Sequence, residues 1–246
     1  MPEGPSIVIL KEQVQPLQLE GTKVLAVLGN TSIDAARMSG KTLLAFRSWG
    51  KHFLICFEGF SLRVHFMMFG TYRINERKET PVRLSLIFEN AELNFYTCSL
   101  KFIEGNPDDT YDWSADVMSD QWNPRLARKK IKQKEESLIC DILLDQNIFS
   151  GVGNIIKNEV LYRTRVHPLT KVNAISPVKL SALIKEARQY SFDFLEWKKA
   201  YVLKKHWLVH TKKICPLGHP IEKLYLGKTN RRTFFCSICQ KPVKST

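Results

Sequence analysis

Two short knuckles near the C-terminus constrain this chain more than any other feature. They are Cys215-Pro-Leu-Gly-His219 and, after sixteen intervening residues, Cys236-Ser-Ile-Cys239. Each offers two soft donors from one turn, and two such turns can close a tetrahedron around one zinc ion. The chain between them must then double back. Tyr225-Leu226 and Thr233-Phe234-Phe235 flank a polar tip at Gly227-Lys228-Thr229-Asn230, so a zinc-bound β-hairpin is expected, with Cys215, His219, Cys236 and Cys239 as ligands. The alternative is a reduced thiol pair beside an unrelated surface histidine. The other three cysteines, Cys56, Cys98 and Cys140, stand among apolar neighbours and read as small buried hydrophobes. Metal-bound thiolates point to a reducing compartment.

Upstream of the hairpin the hydrophobic period changes once. Residues 3–16 read as a helix with Ile7, Leu10 and Val14 on one face. Residues 23–28, 42–47, 52–57, 61–67, 82–88 and 93–103 read as strands separated by turns. In the fifth of these, Val82, Leu84, Leu86 and Phe88 face one side, and Arg83 and Ser85 the other. An antiparallel β-sandwich or barrel covered by the N-terminal helix is expected over residues 1–105. A linker rich in Asp, Asn and Pro follows at 106–124, then a helical domain at 125–210 and the finger at 211–246. In the helical domain Leu138, Ile142 and Leu143 define one helix, and Ile155, Glu159 and Tyr162 lie on the next. Ser176 caps a third, with Pro177 at its first position. Between the first two, Gly151-Val152-Gly153-Asn154 permits a tight turn, and a helix start there can hold phosphate. The fold class is α+β.

Charge narrows the partners. Lys and Arg number 37 and Asp and Glu 24, a net charge of 37 − 24 = +13 with a pI of about 9.5. Such an excess attracts polyanions, nucleic acid first among them. A membrane surface is the rival, but the apolar runs are too short to span a bilayer. The start carries Glu3 in place of a basic leader. A soluble, monomeric, intracellular protein is expected, in the cytoplasm or nucleoid, or in the nucleus of a eukaryote. Asp108, Asp109, Asp112, Asp116 and Asp120 make one acidic run, and Arg125, Arg128, Lys129, Lys130, Lys132 and Lys134 a basic one. A charge run is usually a solvated face. However, Lys212, Lys213, Lys223, Lys228, Arg231, Arg232, Lys241 and Lys244 also gather on both sides of the hairpin.

The other end of the chain carries potential chemistry. Removal of Met1 would leave Pro2 as a terminal secondary amine beside the carboxylate of Glu3. An α-amino group has a pKa of roughly 8, so part of it is unprotonated near neutrality and can attack an electrophilic carbon. The alternative is an ordinary start in which Pro5 opens a helix.

Taken together, Pro2–Pro5, Gly151–Glu159 and Arg231–Gln240 resemble the formamidopyrimidine-DNA glycosylase/endonuclease VIII family. The resemblance runs in the family's order over nearly the whole chain: sandwich, helix–two-turn–helix, zinc hairpin. It implies a base-excision repair enzyme that removes oxidised bases and cleaves abasic sites by β,δ-elimination. Its partner would be DNA holding such lesions, and its zinc structural. By the same resemblance Pro2 is the nucleophile, Glu3 the adjacent acid/base group and Lys51 the active-site lysine. Asn154 and Arg231 hold phosphates, and Met67, Met68 and Phe69 fill the gap left by the extruded base. For Lys51 the alternative is an exposed turn residue, and for the Met-Met-Phe run it is core packing at a strand end.

Two departures refine this. Ser6 stands where many members have Glu, and Gly218 where the second finger cysteine normally falls. The resulting Cys-His-Cys-Cys pattern is similar to an endonuclease VIII-like branch. The short segment before Cys215 lacks the loop that closes over oxidised purines, so oxidised pyrimidines are the expected substrates. A non-catalytic damaged-DNA-binding protein is the rival reading, and an RNA-binding zinc protein a third.

Overall fold

The computed structural model describes residues 2–242; Met1 and Lys244, both invoked above, lie outside that range. The chain divides into two compact units, Met1–Tyr111 and Asp112–Thr246.

The first unit begins with helix α1 (Gly4–Val14), where Pro5 occupies the first turn and Ile7, Leu10 and Val14 are buried. Pro fits there because the first helical N–H groups have no intrahelical acceptor. Six strands follow: β1 (Ala26–Leu28), β2 (Ala45–Trp49), β3 (His52–Phe57), β4 (Phe60–Ile74), β5 (Leu84–Ile87) and β6 (Glu92–Glu104). A four-residue helix, α2 (Pro107–Thr110), closes the unit. The strands form one antiparallel sheet in the order β1-β5-β6-β4-β3-β2.

Register makes that sheet a sandwich. The first half of β4 pairs with β3 and with the second half of β6; its second half, from Thr71, pairs with the first half of β6, which also holds β5. The two long strands are thus shared by both layers. Leu84, Leu86, Leu93 and Phe95 of one layer join Phe53, Ile55, Leu62 and Val64 of the other in a single core.

The strand turns at a bulge. Phe66 pairs with Cys98 and Thr71 with Tyr96, so residues 67–70 stand against Thr97 alone. Gly70 is required there, because a Cβ would lie 2.7 Å from Thr97 O and from Phe66 Cβ. The bulge extrudes its surplus residues, as bulges do.

One detail of the alternation differs. Leu84, Leu86 and Phe88 are buried as expected, but Ser85 is fully buried too. Ser85 donates to Glu92 Oε1 on β6 (2.9 Å), and its cross-strand partner Asn94 donates to Glu76 O in the segment after β4 (2.9 Å).

The second unit contains α3 (Pro124–Lys132), α4 (Ile139–Ile142), α5 (Asn154–Arg163), α6 (Pro177–Lys199) and the hairpin β7 (Glu222–Leu226) and β8 (Arg231–Phe235). Caps follow the sequence. Asn123 Oδ1 accepts from the N–H groups of Arg125 and Leu126 (3.0 Å each), and Ser176 Oγ from Lys179 N (3.3 Å). Ile131, Phe149, Ile156, Val160, Leu183 and Tyr190 belong to its core. The α4 helix is only four residues long, with Leu138 as its N-cap rather than inside it. None of the described helices is long and apolar enough to cross a membrane.

Candidate active site and metal centre

The first unit holds the residues expected to carry chemistry. Glu3 is the N-cap of α1, extended at φ −111° and ψ 173°, and its carbonyl accepts from Ser6 N at 2.8 Å. Glu3 is 1% exposed, and Pro2 before it is half-buried. Lys51, also half-buried, belongs to a two-residue hairpin turn: Trp49 pairs with His52, and Gly50 adopts φ +52°, which favours glycine.

The Lys51 carbonyl lies 3.2 Å from His65 Nδ1, and His65 meets His52 edge-on at 5.2 Å. Burial, reinforced by Arg63 and His65, pushes His52 down to about 3. Burial likewise lowers His65, despite its contact with the Lys51 carbonyl. Both imidazoles are therefore neutral near pH 7, and neither adds a positive charge beside Lys51. Met67, Met68 and Phe69, extruded by the bulge, are 50%, 58% and 81% exposed. They do not pack in the core.

The second unit builds the finger. The donor atoms of Cys215, His219, Cys236 and Cys239 all lie within 4.8 Å of one another. Cys215 Sγ is 3.9 Å from Cys239 Sγ and 3.7 Å from His219 Nδ1, and His219 Nδ1 is 3.3 Å from Cys239 Sγ. A zinc–sulfur bond of about 2.3 Å requires tetrahedral S···S edges of about 3.8 Å, so this donor set fits zinc in spacing and in chemistry.

Burial works to raise the Cys215 thiol. The nearby Tyr162 hydroxyl and the backbone of His219 and Leu217 outweigh it and bring the thiol down to about 6. Cys239 shifts up, through burial and its neighbours Cys236 and Cys215. The remaining cysteines are buried; burial pushes Cys98 up to about 12 and Cys140 to about 11, as befits inert thiols.

The hairpin is tied to the helices at several points. Asn154, the first residue of α5, donates from Nδ2 to Arg232 O (2.7 Å), which brings it next to Arg231 at the start of β8. Asp141 of α4 accepts from Lys228 N (2.9 Å) at the hairpin tip. There Gly227 has φ +77°, and a Cβ would fall 2.2 Å from Asp141 Oδ1. Lys157, 1% exposed, donates to Thr233 Oγ1 (2.8 Å). Glu159, fully buried, accepts from Leu208 N, Val209 N and His210 N at 2.9, 3.0 and 2.8 Å.

Sequence reasoning singled out neither Asp141 nor Lys157, and it placed Glu159 only on a helix. The available signal was the run Lys157-Asn158-Glu159, three polar residues in succession inside an otherwise apolar helix. All three are buried.

The first unit is thus a helix-capped antiparallel sandwich, and the second a helical unit with a metal-competent hairpin. The Formamidopyrimidine-DNA glycosylase N-terminal domain matches residues 1–102, and the Formamidopyrimidine-DNA glycosylase H2TH domain matches residues 114–199, together more than half of the chain. The chain belongs to the formamidopyrimidine-DNA glycosylase/endonuclease VIII family. Endonuclease 8-like 2 of Mus musculus is 32% identical over 75% of this chain and 59% of its own length. Endonuclease 8-like 3 of Homo sapiens is 32% identical over 88% of this chain, and that of Xenopus laevis 29% over 92%. The chain spans only 38% and 39% of those two relatives. Among solved structures, a viral DNA glycosylase superposes with a TM-score of 0.84 at 21% identity, covering 97% of this chain and 99% of that one. The Lactococcus lactis formamidopyrimidine-DNA glycosylase, bound to DNA containing an abasic site, gives 0.84 at 20% with the same coverage. These two likenesses establish the fold.

Proposed function

We propose that this chain is a bifunctional DNA glycosylase and abasic-site lyase of base-excision repair, acting on oxidised bases with pyrimidines favoured. The observation that carries the reading is the start of α1, where a nearly fully buried carboxylate, Glu3, follows Pro2 in a chain of this family. A buried carboxylate there suits proton transfer more than solvation.

In this reading the unprotonated Pro2 nitrogen attacks C1′ of a flipped nucleotide. The C1′–N bond breaks and the base leaves with a proton. Glu3 protonates the sugar ring oxygen as the ring opens, giving an iminium between Pro2 and C1′. The iminium acidifies C2′; loss of that proton expels the 3′ phosphate, and a second elimination expels the 5′ phosphate. Lys51 supplies a cation or a proton near these phosphates. Asn154 and Arg231, adjacent through the 2.7 Å contact between Asn154 and Arg232 O, hold the backbone on either side of the lesion. Met67, Met68 and Phe69 enter the vacated stack, which suits their exposure at a bulge.

Zinc is the metal proposed for Cys215, His219, Cys236 and Cys239. With four protein ligands it keeps no open position, so its part is to hold the hairpin. The preference for pyrimidines rests on the short segment before Cys215, which offers a large oxidised purine few partners. Saturated pyrimidines also leave the stack at low cost.

Borohydride reduction tests the reading. Protein lacking Met1, incubated with an abasic-site oligonucleotide, should give a covalent adduct, and protein with an uncleaved N-terminal tag should not. No adduct from the mature chain would leave a DNA-binding protein without the chemistry. Single-turnover cleavage of 5-hydroxyuracil, thymine glycol, abasic and 8-oxoguanine duplexes reads the substrate preference. Fastest cleavage of 8-oxoguanine would overturn the pyrimidine assignment.

A further inference from the structure

A groove between α3 and α6 plays no part in the chemistry proposed above. It encloses a cavity of about 520 Å3. Four cations line it, Arg125, Arg128, Lys185 and Arg188, with no acidic residue among the lining side chains. Its apolar surface comes from Trp122, Ile184 and Phe192.

Two of the cations are already oriented. Arg128 donates to Ser181 Oγ on α6, and Arg188 donates to Ser119 O (2.9 Å) with its guanidinium over the Phe192 ring at 5.2 Å. Arg125 and Lys185 are exposed at the rim. Glu186, next to Lys185, is paired instead with Arg163, Nε to Oε1 at 3.8 Å. The groove therefore has an apolar floor under a positive rim that its own acids leave uncompensated.

We propose that this groove docks an acidic segment of a partner protein, with an apolar side chain seated between α3 and α6 and carboxylates paired to the surrounding cations. Charge complementarity selects an anionic occupant. The shape favours a polypeptide over nucleic acid. A pit of this volume takes one or two side chains, whereas a duplex presents its phosphates along a broad convex surface. A single strand would need open aromatic faces on which to stack, but Trp122 packs on Phe149 with centroids 5.7 Å apart, and Arg188 covers Phe192. Arginine and aromatic anchors around a desolvated pocket are the composition that carries binding energy between proteins.

The experiment uses the full chain and a fluorescein-labelled peptide with one phenylalanine flanked on both sides by glutamates, read by fluorescence anisotropy. Saturable binding is expected, weakening as salt is raised. Lys185→Glu, at an exposed position that leaves the fold intact, should weaken it about tenfold, the worth of one rim charge pair. Phe192→Ala should weaken it through the floor. Binding of an abasic-site duplex should be the same in both variants as in the unsubstituted chain. No saturable binding, or undiminished affinity in Lys185→Glu, overturns the proposal. So does an equal loss of affinity for a single-stranded oligothymidylate, which would make the groove a nucleic-acid surface.

Discussion

The two units use buried charge in opposite ways. In the sandwich unit the only charged residue among the described buried ones is Glu3; its other buried polar residues are Ser6, Ser61, Ser85 and Asn94. In the second unit Asp116, Lys157 and Glu159 are buried, with Asn158, His210, Thr233 and Gln240. The sandwich has an apolar core drawn from two layers that share strands. The finger has a small cluster of its own, Tyr162, Val209, Cys215 and Cys236. It must be held by donors and acceptors instead: Gln240 accepts from Cys236 N and donates to Val166 O (2.8 Å), and Glu159 receives three N–H groups. A buried charge costs several kcal/mol unless it is compensated. In the second unit the compensation is visible as architecture. In the first, the single charged residue among the described buried ones is the one to which the proposed chemistry falls.

Metal removal gives the sharpest contrast. A structural zinc site of this kind contributes on the order of 10 kcal/mol of binding free energy that is also folding free energy. Chelation should therefore abolish hydrogen-exchange protection in β7 and β8 while the amides of β3, β4 and β6 keep theirs. Equal loss in both units would break the comparison. His219→Ala should lower the metal content; unchanged content would place the fourth ligand elsewhere.

Glu3→Gln should cut base release by about 10²–10⁴-fold, the range for losing a general acid or base, with little change in melting temperature. A large drop in Tm with retained activity would make Glu3 a structural residue like those of the second unit. Glu159→Ala should do the converse. It strands the buried N–H groups of Val209 and His210 and the half-buried one of Leu208, and should destabilise the second unit by about 3 kcal/mol, measured by urea denaturation followed at the finger.

The pH dependence of stability follows from His210. Burial, with Arg232 and Lys157 nearby, lowers it from 6.5 to about 4. Neutral Nδ1 can then accept from Asn158 Nδ2, 3.0 Å away. The folded-state pKa is depressed, so between about pH 6.5 and pH 4 the unfolded chain binds the extra proton. Stability from this group is complete above pH 6.5 and is lost as pH falls toward 4, by about 3 kcal/mol at most. Thermal melts across that window should show the loss, and His210→Gln should flatten it. The smallest effect is expected at the hairpin tip. Gly227→Ala meets both the positive φ and the Asp141 carboxylate, and should cost about 1–2 kcal/mol. In the double variant with Asp141→Ala the steric part should vanish while the backbone part remains, a cycle that separates the two.

The alternation of Leu84, Leu86 and Phe88, the spacing of Ile7, Leu10 and Val14, and the Ser176 cap were legible in the sequence because each is a local rule whose partner lies within a few residues. The grouping of Cys215, His219, Cys236 and Cys239 was legible for the same reason, since each knuckle is a single turn. The resemblance added the order of the parts. Neither could show that Ser85 is covered, that α4 shrinks to one turn, or that residues 67–70 are extruded against Thr97. Those depend on which distant segments arrive beside them.

By itself, then, the sequence determined where helix and strand periods change, which four side chains could meet at one metal, and that a polyanion is the expected partner. Only the tertiary structure decided that Lys157-Asn158-Glu159 turn inward, that Asp141 meets the hairpin tip, and that four cations surround one apolar groove without an acid among them. The physical reason is that burial of a polar group is stable only when its partner is supplied. For Glu159 that partner is the backbone of residues 208–210, about fifty positions away, which no local pattern encodes.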